Sequence, residues 1–445
     1  MSAEEKNSTI HRVLIFGDDF GVPLSIEVVP RSLICAVVGA EIRPKQHSFL
    51  RSLSEELGKP FLIQPKYSSP DYHTFLDQVK DLAPDLIFVN SYSMLIRPDV
   101  LQIPRYGAIN VHGALLPQYR GSNPIQWALL NDEQETGVTM HYMSEHFDLG
   151  DIIAQRRVPI NFIDTWRDIQ ARIGLTTKKM LLEEMPNVLK GTNTSYKQDE
   201  KMANYYRRRL AIDGRFEWTS SVRYIYNLTR ALVKPHPGAF YSSDAHEIIL
   251  DEYLTIPQIV KLKYGIAGGQ KIQSQNLALF PLNLEDVPKL EKSINAHLRE
   301  SVDTPYYPIC EGQVEEWFQS LQDHNEVIIF CIRHVKTEEL IGYCQLQSFN
   351  PVQGTVELSY YIHAPSLDRF TCFVETVSLL LNFAFKDLNL HKVYSYISVN
   401  DDEKIKAGET IGFTREGLLR QALHINGVNT DILLMGIVQE EFYAG

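Results

Sequence analysis

Residues 85–112 read DLIFVNSYSMLIRPDVLQIPRYGAINVH, and this stretch decides the fold. It holds two strand-length apolar runs, DLIFV at 85–89 and GAINV at 107–111. Polar residues close both: Asn90 after the first, Asn110 and His112 at the end of the second. Short runs without polar alternation predict strands buried on both faces, as in a parallel sheet. Working outward, RVLIF at 12–16, LICAVV at 33–38 and FLIQ at 61–64 repeat the pattern. Helical periodicity lies between them over 47–58, ending at Gly58, and over 71–83. Strands alternating with helices predict a doubly wound, mainly parallel α/β sheet whose ligands sit beyond the carboxyl ends of the strands. Asn90, Asn110 and His112 fall on that edge.

Further along, a strand at 136–140 leads to a loop with Asp148 and Gly150, and DIIAQ opens the next strand. A long helix is predicted over 164–189, capped by Asp164. Residues 201–250 change character, with an arginine cluster, DGRFEW at 213–218, a helix over 220–233 and a turn at Pro235, Pro237 and Gly238. The weakly patterned stretch 251–270, with Gly265, Gly268 and Gly269, predicts a boundary. A fresh alternation follows: helices at 285–300, 312–322 and 370–386, and strands at 326–333, 339–346, 355–363, 392–399 and 430–438. The expected division is a first domain over 1–190, a small middle α/β segment over 191–270 and a further α/β domain over 271–445.

Composition narrows the function classes. The chain has 445 residues and a net charge of −12, which speaks against nucleic-acid binding through its overall field. Its five cysteines are widely spaced with no CxxC, which suits small buried hydrophobes in a reducing cytoplasm rather than a disulfide framework or a zinc knuckle. Met1 to Ile10 has no signal-type apolar stretch, and no run of about 18 apolar residues occurs, so no membrane span is expected.

Asn110 and His112 flank Val111, so in a strand both side chains face one way. With Asp148 they suit acyl transfer to an amine. An asparagine N–H stabilises a developing oxyanion, a histidine takes the proton, and a carboxylate fixes the histidine tautomer. The amine is itself the nucleophile, so neither a serine nor a metal is needed. By spacing alone, the same residues equally describe a hydrogen-bonded strand end and an Asx turn.

The sequence NVHGALLPQYRGSNPIQWALLNDEQETGVT at 110–139, DLGDIIAQ at 148–155 and FGDDFGVP at 16–23 resembles the formyltetrahydrofolate-dependent formyltransferase family over about residues 10–250. The resemblance implies catalytic Asn110, His112 and Asp148, and 10-formyltetrahydrofolate as cosubstrate. It implies that the folate lies against Asn90, Ser91, Tyr92, Met94, Leu95 and Ile96, with Arg120 and Gly121. Among acceptors, methionyl-tRNA calls for a basic C-terminal region that is not present, and a free amino acid remains an alternative. The segment YYRRRLAIDGRFEWTSSVRYIYNLTRALVKPHPGAF at 205–240 is similar to the nucleotide-sugar members. That likeness implies a nucleotide-linked amino-deoxysugar, held in part by Arg207, Arg208, Arg209, Tyr224 and Lys234, with Arg223 and Arg230 as further phosphate candidates. A cytoplasmic homodimer with no nucleic-acid or membrane partner is expected.

Residues 275–440 are similar to the Gcn5-related acetyltransferases through VELSYYIHA at 356–364 and IGFTREGLLRQALHINGV at 411–428. The family's phosphate-binding glycines fall on Asp368, Phe370 and Cys372, and its tyrosine proton donor falls on Gly408. These departures speak against acetyl-CoA and imply a fold kept without acetyl transfer. Two alternatives stand beside it, a bifunctional formyl- and acetyltransferase and an inactive sensor.

Overall fold

The computed structural model describes residues 9–243, 246–266, 271–290, 327–350, 353–363, 367–425 and 427–444. The chain divides into two compact units, residues 1–213 and 214–445. Of the middle segment, 191–213 falls in the first unit and 214–270 in the second.

The first unit is a seven-stranded sheet. Its strands are β1 Val13–Phe16, β2 Ile34–Ala40, β3 Phe61–Gln64, β4 Leu86–Asn90, β5 Ala108–His112, β7 Glu135–Tyr142 and β8 Ile152–Pro159, while β6 Arg120–Gly121 and β9 Tyr205–Tyr206 form a separate pair. The order is β3-β2-β1-β4-β5-β7-β8, parallel from β3 through β5 and antiparallel from there to β8. Its helices are α1 Gly21–Val28, α2 Pro44–Leu57, α3 Tyr72–Leu82, α4 Pro98–Leu101, α5 Pro124–Leu130 and α6 Trp166–Lys190.

Alternation along β1 explains the two-sided winding. Val13 and Ile15 pack with Val22, Leu24, Leu50, Met180 and Leu181 from α1, α2 and α6. Leu14 and Phe16 pack with Tyr72, Phe75, Val79 and Val100 from α3 and α4. Each such fully buried side chain contributes about 1.5–3 kcal/mol. Connections leave β1 in one direction toward β2 and return on its other side at β4, so the strand order reverses there. The carboxyl ends of β1 and β4 flank that switch point, and β5 lies next to β4.

The second unit opens with α7 Val222–Ala231, the hairpin β10 Ala239–Ser243 and β11 His246–Leu250, and α8 Ile256–Val260. Its main sheet holds β12 Ile272–Gln273, β13 Leu277–Pro281, β14 Ile328–His334, β15 Leu340–Asn350, β16 Thr355–Ile362, β17 Lys392–Ser398, β18 Thr414–Ile425 and β19 Val428–Val438. The order is β12-β13-β14-β15-β16-β17-β19-β18. All neighbours are antiparallel except β16 and β17, which run parallel and pair only over Thr355–Glu357 with Lys392–Tyr394. The crossover between them is α9 Arg369–Asn382. After β17 come α10 Asp402–Ile411 and, at the end, α11 Gln439–Ala444.

Several local expectations are corrected. Thr165 and Asp168 form the capping box of α6, while Asp164 pairs with Arg172 instead of capping. Within the weakly patterned stretch, residues 256–266 are helical: Thr255 and Gln258 box the start of α8, which runs into a π-type turn over Lys261–Ile266, while 267–270 lie outside the described residues. Arg230 is buried with its Nε on Asn227, so it belongs to the core of the second unit rather than to a phosphate site. Further elements without a counterpart among those expected from the sequence include α1, α4, α5, α10, α11, β6, β9, β10, β11, β12, β13 and β18. Of the helices expected at 285–300 and 312–322, residues 291–326 lie outside the described residues, as does Cys310. The other four cysteines are free and buried. Among the described residues no helix is long and apolar enough to cross a membrane.

Candidate active site

β5 pairs with β7 so that Asn110 lies opposite His141 and His112 opposite Thr139. Strand alternation sends Asn110 and His112 to the same side, and the β7–β8 turn brings Asp148 to them. Asp148 sits at φ +54, a conformation that non-glycine residues seldom adopt. Gly150 makes the turn possible, because a Cβ there would come within 1.8 Å of Tyr142 O.

The three expected catalytic groups converge. His112 Nε2 donates to Tyr119 O at 2.7 Å, which leaves Nδ1 as the accepting nitrogen, 3.6 Å from Asp148 Oδ2. Asn110 Nδ2 lies 3.5 Å from Asp148 Oδ1 and 3.3 Å from His141 Nε2. Both distances are long, so an incoming oxygen competes for these hydrogens on favourable terms. Gly121 N donates to Asp148 Oδ2 at 2.9 Å. Burial alone would raise the Asp148 carboxyl, but the imidazoles of His112 and His141 and the Gly121 amide hold it well below the usual carboxylate range. Asp148 is therefore ionised at neutral pH.

Two further groups were missed in the sequence. His141 is buried; its Nδ1 donates to Tyr142 O at 2.8 Å, which turns Nε2 toward Asn110 and Asp148, 3.6 Å from Asp148 Oδ1. The signal was present: extending the strand past Met140 puts His141 two residues beyond Thr139, on the same face. Gln198 Nε2 donates to Asp148 O at 2.8 Å and to Gly150 O at 2.7 Å. No periodic pattern surrounds Gln198, so nothing in the sequence marks it.

The expected folate loop follows β4 at the switch point. The Asn90 side chain is buried and donates to Gly21 O at 3.2 Å, so it anchors α1. Ser91 Oγ donates to Asp19 Oδ1 at 2.7 Å, and burial raises the Asp19 carboxyl above its ordinary value. Tyr92 OH donates to Gln64 Oε1 and Ile96 is in the core, while Met94 is half-buried and Leu95 exposed. In place of a folate contact, Arg120 is fully buried and all five of its N–H donors are engaged by Gln198, Glu200 and Tyr205.

Of the expected acceptor residues, Arg207 pairs with Asp213 at 2.6 Å and holds that carboxyl down to about 2. Arg208 is exposed, and Arg209 lies over the Trp127 ring at 4.8 Å and donates to Asp213 O. Tyr224 and Lys234 belong to the second unit, where Tyr224 is exposed and Lys234 pairs with Asp251 at 3.3 Å.

In the second unit, Asp368 is the N-cap of α9. Its carboxylate accepts from Thr371 N at 3.1 Å and from the Thr371 hydroxyl, contacts that hold it below its ordinary value. Phe370 is half-buried and Cys372 buried. Gly408 is buried in α10, where a Cβ would meet the Met435 side chain at 3.3 Å.

Comparison with known proteins gives two family matches. Residues 36–185 match the formyl transferase family model, and residues 276–414 match the acetyltransferase (GNAT) domain. Among solved structures, a sugar N-formyltransferase from a Shewanella species is similar at 20 % identity and a TM-score of 0.46, over 54 % of this chain and 97 % of that one. A 4-N formyltransferase from Francisella tularensis is similar at 17 % identity and a TM-score of 0.46, over 55 % and 98 %. Spermidine N-acetyltransferase from Vibrio cholerae, in complex with CoA and spermine, is similar at 24 % identity and a TM-score of 0.35, over 38 % and 99 %. With Asn110, His112 and Asp148 gathered inside the first match, the chain is a formyltransferase enzyme whose formyl transferase domain is joined to a GNAT acetyltransferase domain.

Proposed function

We propose that the first unit transfers a formyl group from 10-formyltetrahydrofolate to the amine of a nucleotide-linked amino-deoxysugar. The observation that carries this reading is the meeting of Asn110, His112 and Asp148 at the end of β5, beside the switch point. The residues fit the folate: half-buried Met94 and exposed Leu95 offer an apolar surface for a flat ring, next to backbone polar groups of the loop after β4. When bound, the folate supplies an electrophilic formyl carbon. Asn110 Nδ2 presents N–H groups to the oxygen on which negative charge grows. His112, held by Tyr119 O, receives the proton that the attacking amine loses, at Nδ1. Asp148, ionised and facing that nitrogen, stabilises the imidazolium that results, and the proton held there is returned to the departing tetrahydrofolate nitrogen as its bond to the formyl carbon breaks.

The sugar acceptor rests on the resemblance of residues 205–240 and on the exposed arginines that the first unit places at 207 and 208. Thermal-shift measurements with thymidine and uridine diphosphates, with and without 5-formyltetrahydrofolate, identify the carrier base through the larger shift. Mass spectrometry of matching amino-deoxysugar nucleotides incubated with 10-formyltetrahydrofolate then reads transfer. Formylation of methionyl-tRNA or a free amino acid, with every sugar untouched, sinks the reading.

For the second unit we propose a domain that transfers no acetyl group. Coenzyme A does not fit the start of α9, because Asp368 already occupies its N–H groups with a negative charge where a diphosphate would need them.

A further inference from the structure

His112 and Asp148 are each held by a backbone group of one short stretch. Tyr119 O receives the His112 Nε2–H, and Gly121 N donates to Asp148; between the two lies Arg120. That stretch is in turn held by the segment that follows α6. β6 pairs with β9, Arg120 N donates to Asn204 O at 3.1 Å, and Ser122 N donates to Tyr206 O at 3.1 Å. Gln198, in the same returning segment, bridges the carbonyls of Asp148 and Gly150 across the turn. The buried Arg120 guanidinium fixes Gln198 through Oε1, at 3.1 Å from Nε and 2.6 Å from Nη2, and is itself pinned by Glu200 and Tyr205.

We propose that Gln198 and Arg120 are positioning residues for formyl transfer, locking the Asp148 turn and β6 together so that the carboxylate faces His112. The proposal rests on the catalytic roles given above. A non-glycine residue at φ +54 is strained, and a strained residue persists only where its surroundings over-determine it. At Asp148 those surroundings are the Gln198 amide on the main chain and the Gly121 amide on the side chain. Arg120 couples the two, because it lies in β6 and also holds Gln198. Its five donors are all used inside the protein, so it acts through Gln198 rather than by touching substrate.

Two variants separate this role from general stability. Gln198→Glu keeps an acceptor for Arg120 and removes the N–H donors from the two carbonyls. Glu200→Gln keeps the shape at an exposed position and leaves the buried guanidinium without its counter-charge. Steady-state kinetics use 10-formyltetrahydrofolate and an amino-deoxysugar nucleotide, with amide hydrogen exchange followed over residues 146–151. In Gln198→Glu, kcat falls about ten- to a hundredfold with KM for both substrates nearly unchanged, as expected for catalytic groups displaced by a fraction of an ångström. Exchange over 146–151 quickens. Glu200→Gln gives a smaller change in the same direction. Unchanged exchange over 146–151 overturns the lock, whatever the acceptor is. Faster exchange with wild-type kcat, or a change confined to KM, overturns the positioning role. His112→Asn is assayed in parallel. If it is inactive while Gln198→Glu is normal, only this proposal fails; if it too is normal, the catalytic assignment itself fails.

Discussion

The β7–β8 turn in the first unit and the start of α9 in the second each carry an aspartate that is ionised and hydrogen-bonded, yet the two do different things. Asp148 is half-buried, and its partners come from β5, β6, β7 and the segment after α6. Asp368 is exposed, and its partner is Thr371, in the first turn of its own helix. A carboxylate satisfied three residues away completes a helix end. A carboxylate drawn on by three separate segments, with its main chain held by a fourth, is a point where the fold gathers polar groups, and the two imidazoles and the amide gathered there suit proton transfer and oxyanion stabilisation. The reach of the partners, rather than the residue type, distinguishes the two places.

The largest effect that can break this contrast is on turnover. His112→Asn or Asp148→Asn lowers the rate of formyl transfer by about a hundredfold or more. A near-wild-type rate in either variant removes the substituted residue from the chemistry, and in Asp148→Asn it makes the two aspartates alike. Gly150→Ala comes next. The Tyr142 carbonyl leaves no room for the added methyl, so the turn carrying Asp148 must move, at a cost of about 2–4 kcal/mol in chemical denaturation together with loss of activity. Asp368→Ala, by contrast, removes only a cap, lowers stability less than Gly150→Ala does and leaves formyl transfer unchanged. Calorimetry with acetyl-CoA sharpens the same point: the wild-type chain gives no saturable heat, and micromolar binding would mean that α9 accepts a diphosphate despite its own carboxylate.

The smallest effect is on pH dependence. A carboxyl held below its unfolded value contributes stability that is fully present above about pH 4 and is lost as the pH falls toward its native value. Asp148 is such a group. Between pH 6 and pH 3.5 the wild type therefore loses more unfolding free energy than Asp148→Asn does; equal losses would mean that the His112 and His141 contacts do not hold the carboxylate.

Much of the fold was legible because burial on both faces of a parallel strand writes itself as an uninterrupted apolar run. DLIFV and GAINV became β4 and β5 within a residue of their expected ends. α1 went unread because Pro23 and the valines around it give no helical period, and α8 because its apolar pattern is only five residues long and is followed by Gly265, Gly268 and Gly269. The site was legible where chemistry sits at a strand end, as at Asn110 and His112. It was not legible at His141, where the strand outran its apolar core, or at Gln198, which is marked only by what it touches. Arg120 is a folate contact only by family resemblance; its burial with every donor engaged cannot be seen in a string of letters.

The sequence by itself determined the alternation of strands and helices, the strand end that bears Asn110 and His112, and the helix start that Asp368 closes. Each of these depends on neighbours within a few positions, where backbone geometry fixes which side chains share a face. Only the tertiary structure decided that Asp148 meets both imidazoles and that the segment after α6 returns to grip it. Those contacts join residues far apart in the chain, and their energies depend on burial and distance, which exist only after the sheet has closed around them.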